Sequence, residues 1–203
     1  MINPVPTILD NLDKRYLKRL ELAGVATLPI EIIATTEELR AFANDAEPDG
    51  DYILKPTVSA GAYNLVSCAG RDILAKVSPP SPDNALIAQR FAPEITRDGE
   101  WSLMFFGREF SHAVAKRAKA GDFRVQWTHG GTHAKATLTP DVIRQARAVL
   151  EHIPGPLPYA RVDGIIRDGA LLLMELELVE PYLFFEEDPQ SAERFADVLA
   201  QTI

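Results

Sequence analysis

The sequence predicts an α+β fold with largely antiparallel sheets. Two hairpin signals point to it: Gly107-Arg108 between runs at 100–106 and 109–116, and Arg167-Asp168-Gly169 between apolar runs at 159–166 and 170–178. Helix-start signals at 35–38 and 139–141 stand among these strands, and that mixture is the α+β pattern. The chain has no internal repeat and no low-complexity tract.

Taken in order, residues 10–23 read as a helix, with Asp10 or Asn11 as its cap, Leu12, Leu17 and Leu20 as its apolar stripe, and Gly24 as its stop. Residues 25–33 are apolar and extended. Thr35 and Glu38 have capping-box spacing, which predicts a helix to Asn44 or Ala46. Asp49-Gly50 is a turn, and Tyr52 to Lys55 is a strand stopped by Pro56. Residues 57–64 form a small-residue loop, and a strand pair follows over 65–76. Prolines among serines make 78–84 a loop, followed by a strand over 85–91. After the first hairpin, Gly121, Gly130 and Gly131 mark 117–134 as a long loop. Thr139-Pro140-Asp141 opens a helix that runs to about His152. Asp188-Pro189 opens the last helix.

Composition sets bounds on function. The chain has 203 residues, 46% hydrophobic and 25% charged, enough for a sizeable core in one large domain or two small lobes. A net charge of −8 disfavours a general nucleic-acid binder. The single cysteine, Cys68, permits no intrachain disulfide and suits strand packing in a reducing cytoplasm. No apolar run reaches membrane-spanning length, and the first residues lack the pattern of a signal peptide.

The most informative chemistry lies in the second hairpin. Asp163 stands among apolar neighbours on one strand, and Glu175 and Glu177 stand on the next. Residues two apart share a strand face, so Glu175 and Glu177 project together, with Leu176 and Leu178 opposite. Adjacent carboxylates repel and resist burial, and a divalent cation relieves both effects; all-oxygen ligands suit magnesium. Alone, the pattern favours a solvated strand face with Glu at alternate positions, a preference that the rest of the chain reverses. Lys55 ends a strand beside Ser59-Ala60-Gly61-Ala62, where backbone N–H groups could cradle phosphate; the alternative is a lysine in solvent. Gln89-Arg90-Phe91-Ala92 could offer backbone to a purine, with Phe91 as an apolar wall and Glu100 accepting from ribose, or could be an edge strand and a surface carboxylate. Lys116, Arg117, Lys119 and Arg124 gather positive charge where an anionic substrate or only solvent would lie. His129 and His133 have zinc-like spacing, but Gly130 and Gly131 break the helix that a zinc pair needs.

In this order Lys14, Lys55 with its loop, the strand 89–92, Glu100, Lys116, Arg124 and the acidic strand pair resemble the ATP-grasp superfamily of carboxylate–amine ligases. The runs Gly99 to Leu103, Phe110 to Val114, Gly121 to Gln126 and Glu175 to Pro181 look more like the subgroup that contains the cyclo-ligase of cycloserine biosynthesis. The resemblance implies an ATP- and magnesium-dependent ligase (manganese being the alternative metal) that activates a small-molecule carboxylate as an acylphosphate for an amine. Lys14 and Lys55 would contact the ATP phosphates or the adenine edge, the loop of Ser59, Ala60, Gly61 and Ala62 would close over the phosphates, Gln89, Arg90, Phe91 and Ala92 would hold the adenine, and Glu100 the ribose. Asp163, Glu175 and Glu177 would hold the metal, while Arg161, Lys116 and Arg124 face the reacting groups. Glu177 stands where the family's metal motif usually has asparagine. The family also implies a small lobe at 14–85, a large lobe at 86–203, and residues 1–13 as a linker from an upstream domain. Without that domain the chain is expected to dimerise and to bind ATP better than it ligates. The competing readings are a non-catalytic nucleotide-binding module or truncated ligase fragment, and an ATP-dependent kinase without ligation.

Overall fold

A computed structural model of the chain describes residues 2–59, 61–81, 83, 85–125 and 127–202, the last by its backbone alone. Its strands form two antiparallel sheets. The smaller has the order β1-β4-β2-β3, from β1 (Glu31–Ile33), β2 (Asp51–Pro56), β3 (Val66–Ala69) and β4 (Leu86–Arg90). The larger has the order β7-β6-β5-β8-β9, from β5 (Glu100–Phe106), β6 (Glu109–Arg117), β7 (Thr132–Ala136), β8 (Tyr159–Arg167) and β9 (Ala170–Glu177). Among the described residues seven α-helices accompany them: α1 (Val5–Asn11), α2 (Tyr16–Leu22), α3 (Thr36–Asp45), α4 (Ile73–Lys76), α5 (Glu94–Arg97), α6 (Pro140–Glu151) and α7 (Ser191–Thr202). No helix among the described residues is long and apolar enough to cross a membrane.

The larger sheet packs one face against α2 and α6. Leu103, Phe105, Ala113, Val162, Leu173 and Leu176 meet Leu17 and Leu20 of α2 and Val142, Ala146, Val149 and Leu150 of α6. Each such valine or leucine contributes about 1.5–3 kcal/mol by leaving water. Under the smaller sheet, Leu39 of α3 and Ile73 of α4 pack on Ile33, Tyr52, Leu54 and Cys68. Thr35 caps α3 with both bonds of the capping box in place, and the helix stops at Asp45, as the spacing predicts. Thr139 caps α6, with proline in the first turn.

Three expectations change. The single helix over 10–23 is two, broken at 12–15. The Lys14 N–H leaves the helical ladder and donates to Thr57 O at 2.8 Å, while Asp13 accepts from the Arg15 N–H at 2.9 Å; such local bonds compete with helix. The second half of the strand pair at 65–76 is instead α4, whose Ile73 is fully buried in the small core. Sheet membership also crosses the expected lobe boundary at 85/86: β4 pairs with β2, so the smaller sheet runs to Arg90, while α2 joins the core of the larger sheet.

The N-terminal segment closes the outer edge of β9. Tyr16 Oη donates to Leu176 O (3.0 Å) and accepts from Leu176 N (2.8 Å), while Asn11 bonds Leu176 O (2.8 Å) and Leu178 N (3.0 Å). Covering the edge leaves few backbone groups there for a foreign strand to pair with.

Candidate active site

The register of the larger sheet determines which side chains meet. Asp163 pairs with Glu175 and Ser102, and Ser102 pairs with Val114; Arg161 pairs with Glu177 and Met104; Glu100 pairs with Lys116, and Lys116 with His133. Cross-strand partners share a face. One face therefore carries a charged row on β5, β6, β8 and β9, with His133 of β7 at its end, opposite the face that forms the core. A β-bulge makes this possible on β9. Gly164 pairs with Leu173 and Asp163 with Glu175, so Met174 is the extra residue. Leu171 and Leu173 face the core with Leu176 and Leu178, a phase change of one residue that turns Glu175 and Glu177 to the other side. Gly99 prepares the start of the row: its φ is +98°, and a Cβ there would lie 2.5 Å from Lys116 O.

The row is mutually paired, with Asp163 and Lys116 buried and Glu100, Arg161, Glu175 and Glu177 half-buried. Asp163, 2% exposed, accepts from Ser102 Oγ, from Arg161 Nη2 (2.8 Å) and from Lys116 Nζ (3.4 Å). Lys116 also pairs with Glu100, and Arg161 reaches Glu177 at 3.3 Å. Lys14 approaches from the turn ahead of α2, where its ammonium donates to Ser59 O and lies 3.2 Å from Glu175. Burial opposes ionisation of Asp163, but Arg161 and Lys116 outweigh it and hold the carboxyl at about 2. Burial also opposes the charge on Lys116, yet Asp163 and Glu100 keep its pKa above the usual lysine value. Glu177 goes the other way: burial raises it, Arg161 pulls it down, and Glu175 and Asp163 add to the rise, leaving it at about 7. Burial raises Glu100 as well.

These groups floor a cleft of about 680 Å³ between the two sheets. Of the residues the sequence proposes, Lys14, Lys55, Ser59, Gly61, Glu100, Lys116, Arg161, Asp163, Glu175 and Glu177 line it. Lys55 and Glu175 thus share one cleft, from opposite sheets. Ala60 lies outside the described residues. The remaining proposed residues are not in the lining. Arg124 turns back on Asp122 (2.8 Å) because two backbone N–H groups, at 123 and 124, already fix that carboxylate. Arg90 pairs with Glu47 at 2.6 Å on the outer side of its strand, Gln89 is buried, and Phe91 packs edge-on against Phe123 (5.9 Å). Ala92 is buried with Val125, and Val125 does line the cleft.

Sequence reasoning missed the aromatic rim. Tyr63 (69% exposed), Trp127 (77%) and Tyr182 (59%) stand over the cleft with Phe184. Large aromatics in loops with no apolar period around them were the available signal. Phe184 caps Met104 and Val114 and adopts a left-handed conformation (φ 50°), which a non-glycine residue keeps only when its surroundings enforce it. His133 lines the cleft too, with Nδ1 2.9 Å from Glu187.

The donor set can be weighed against a divalent cation. Among the described residues no three His, Cys, Asp or Glu side chains converge as a ready metal cage. Glu175 and Glu177 nevertheless form an adjacent carboxylate pair on the cleft, and magnesium commonly takes one or two protein carboxylates with phosphate and water completing its shell. The pair fits that requirement; Asp163 would have to give up Arg161 or Lys116 to join it.

Residues 18–155 match the family described as prokaryotic glutathione synthetase, ATP-grasp domain. Over its whole length the chain is 30% identical to the cycloserine biosynthesis protein DcsG of Streptomyces lavendulae, of which it covers 73%. The crystal structure of D-cycloserine synthetase DcsG superposes with a TM-score of 0.81 at 25% identity, covering 98% of this chain and 73% of that one. The D-alanine–D-alanine ligase of Bacillus anthracis shares the fold at a TM-score of 0.67 and 16% identity, covering 95% of this chain and 67% of that one.

Proposed function

This chain belongs to the ATP-grasp ligases, in the family of the prokaryotic glutathione synthetase ATP-grasp domain, and from that premise we propose that it uses ATP to activate a small-molecule carboxylate as an acylphosphate, which an amine then attacks. The observation that carries this reading is the convergence of Lys14 and Lys55 with the row Glu100, Lys116, Arg161, Asp163, Glu175 and Glu177 on one cleft between two sheets.

In this reading ATP lies between the sheets, its phosphates against Lys14, Lys55 and the loop that includes Ser59 and Gly61. Gly61 and Ala62 both have positive φ (60° and 62°), a backbone shape that directs N–H groups to one side as an anion cradle. Adenine meets the apolar end near Val125, Glu100 meets the ribose, and Glu175 and Glu177 would hold magnesium. Bound magnesium would neutralise charge on the phosphates. The substrate carboxylate attacks the γ-phosphate, so catalysis is mainly positioning and electrostatics. Arg161 is held rigidly by Asp163, and its Nη1 donates to Tyr182 O at 3.2 Å. Exchanging that carbonyl for the acyl oxygen would let Nη1 stabilise the tetrahedral intermediate, a contact of the kind worth about 3 kcal/mol of barrier. Tyr63 and Trp127 would help to exclude water from the acylphosphate.

The test is ATP titration with and without magnesium, followed by ADP release over a panel of L- and D-amino acids. Magnesium-dependent ATP binding with amino-acid-dependent ADP and phosphate release supports the reading. Binding without release under every acid leaves a nucleotide-binding module, and no binding overturns both.

A further inference from the structure

His133 stands at the end of the charged row but takes no part in its ion pairs. It is the cross-strand partner of Lys116 and so lies on the cleft face of β7. Three contacts fix its ring. Strand β7 sets its backbone, the Phe184 ring meets it at 4.9 Å and 67°, and Glu187 bonds its Nδ1 at 2.9 Å. Glu187 is itself anchored, because its second oxygen accepts from the Lys135 N–H at 2.9 Å. The opposite ring nitrogen, Nε2, makes no hydrogen bond among the described residues; Glu186 lies 3.7 Å away, beyond hydrogen-bond length. The other charges around this group are Lys116 on β6, with its ammonium committed to Glu100 and Asp163, and Lys135, which lies 3.6 Å from Asp188.

A carboxylate on Nδ1 fixes that nitrogen as the proton carrier and leaves the Nε2 lone pair to accept a proton, the arrangement of an oriented general base. We propose that the Glu187–His133 pair is the base that deprotonates the acceptor amine in the second half-reaction. The proposal rests on the ligase reading above, and it restricts the acceptor to amines that enter protonated. An ammonium nitrogen has no lone pair, so the reaction must first remove one proton. His133 Nε2 takes it. The amine nitrogen then bonds to the acyl carbon, the bond from that carbon to the phosphate oxygen breaks, and the second nitrogen proton leaves with the phosphate. The protonated imidazole afterwards returns its proton to solvent.

The nucleophile itself supplies the test. Hydroxylamine is largely unprotonated at neutral pH and traps an acylphosphate as a hydroxamate without needing a base. With ATP, magnesium and the amino-acid panel, His133→Gln should lose amide formation by about 100-fold or more while hydroxamate formation stays within about threefold of the unsubstituted protein. Glu187→Gln should fall between them, and the acidic limb of the amide rate–pH profile should vanish in His133→Gln. Nitrogen-15 NMR of labelled histidine, assigned by the signal missing in His133→Gln, should show His133 with its proton on Nδ1. Equal losses with both nucleophiles, no loss with the amine, or a proton on Nε2 would each overturn the assignment. If hydroxamate forms normally while one of these is seen, only the base is wrong. If no acid yields hydroxamate, the ligase reading falls and takes the proposal with it.

Discussion

The cleft has two unlike walls. The charged row rises from four strands of the larger sheet, with its side chains buried or half-buried and each charge held by a neighbour. The rim, with Tyr63, Trp127 and Tyr182, comes from loops and is exposed and aromatic. The row is expensive to assemble, since charges that leave water must be paired, but once paired it is rigid. The rim costs the fold little and can move. A site that needs fixed charges and a removable cover is served by that division.

The largest expected effect breaks the row. Arg161→Ala leaves Asp163 and Glu177 facing each other without the guanidinium between them. Removing one partner of a buried pair typically costs about 3–5 kcal/mol. Urea unfolding should show a loss of that order, and an unchanged midpoint would mean that the row is solvated rather than buried. A rim substitution such as Tyr63→Ala should leave the midpoint within about 0.5 kcal/mol.

The second effect concerns the carboxylate pair. Glu175→Gln should weaken magnesium-dependent ATP binding by about tenfold or more, since even outer partners of a metal site are worth that much. Its effect on stability should be small, because Glu175 is partly exposed. Equal ATP affinity with and without magnesium, unchanged by the substitution, would remove the metal from this end of the cleft. Glu177 adds a pH signature. Its pKa is raised from 4.5 to about 7, so the folded protein holds this proton more tightly than the unfolded chain does. Without magnesium, its contribution to stability is therefore full below about 4.5 and is lost as pH rises through 7. Glu177→Gln should abolish that decline, and an unchanged decline would assign it to another group.

The row was legible in the sequence because it obeys a period. Glu175 and Glu177 alternate with Leu176 and Leu178, and Asp163 sits two residues after Arg161, which places each pair on one strand face. The bulge at Met174 was not legible, because Leu171 to Met174 is apolar at every position and conceals a phase change. The break before Lys14 was hidden for a different reason. It depends on Thr57 O, more than forty residues away, taking the Lys14 N–H. The rim has no period at all: its members come from segments around 63, 127 and 182–184, and only the folded loops bring them together. Arg124 is a different case: loop charge suggested an anionic substrate, and in the fold the guanidinium pairs with Asp122, a neighbour two residues away.

The third effect sharpens the account of the rim. Trp127 is exposed and Trp101 is partly buried. If the rim closes over bound nucleotide, ATP with magnesium should shift the tryptophan emission to shorter wavelength, and Trp127→Phe should remove the shift. The same shift in that variant would place the change at Trp101 and leave the rim without a part in closure.

The smallest effect is at the joint between the walls. His112 lies on the cleft face of β6 and is buried; Ser111 Oγ lies 3.0 Å from its Nδ1, and its Nε2 lies 2.9 Å from Leu183 O. A carbonyl can only accept, so Nε2 carries the proton and Nδ1 accepts from the serine hydroxyl. The ring thereby ties the rim segment at Leu183 to the sheet while remaining neutral. Burial lowers its pKa below the usual 6.5. The unfolded chain therefore binds this proton first as pH falls. The stability contributed by neutral His112 is complete above 6.5 and is lost as pH falls through the lowered folded value. This slope is opposite in sign to that of Glu177, so the two separate on one pH series. His112→Gln should flatten the acidic loss while leaving the Glu177 decline intact. A series in which the substitution changes neither limb would mean that the joint is held by Phe184 packing on Met104 and Val114, with the histidine merely filling space.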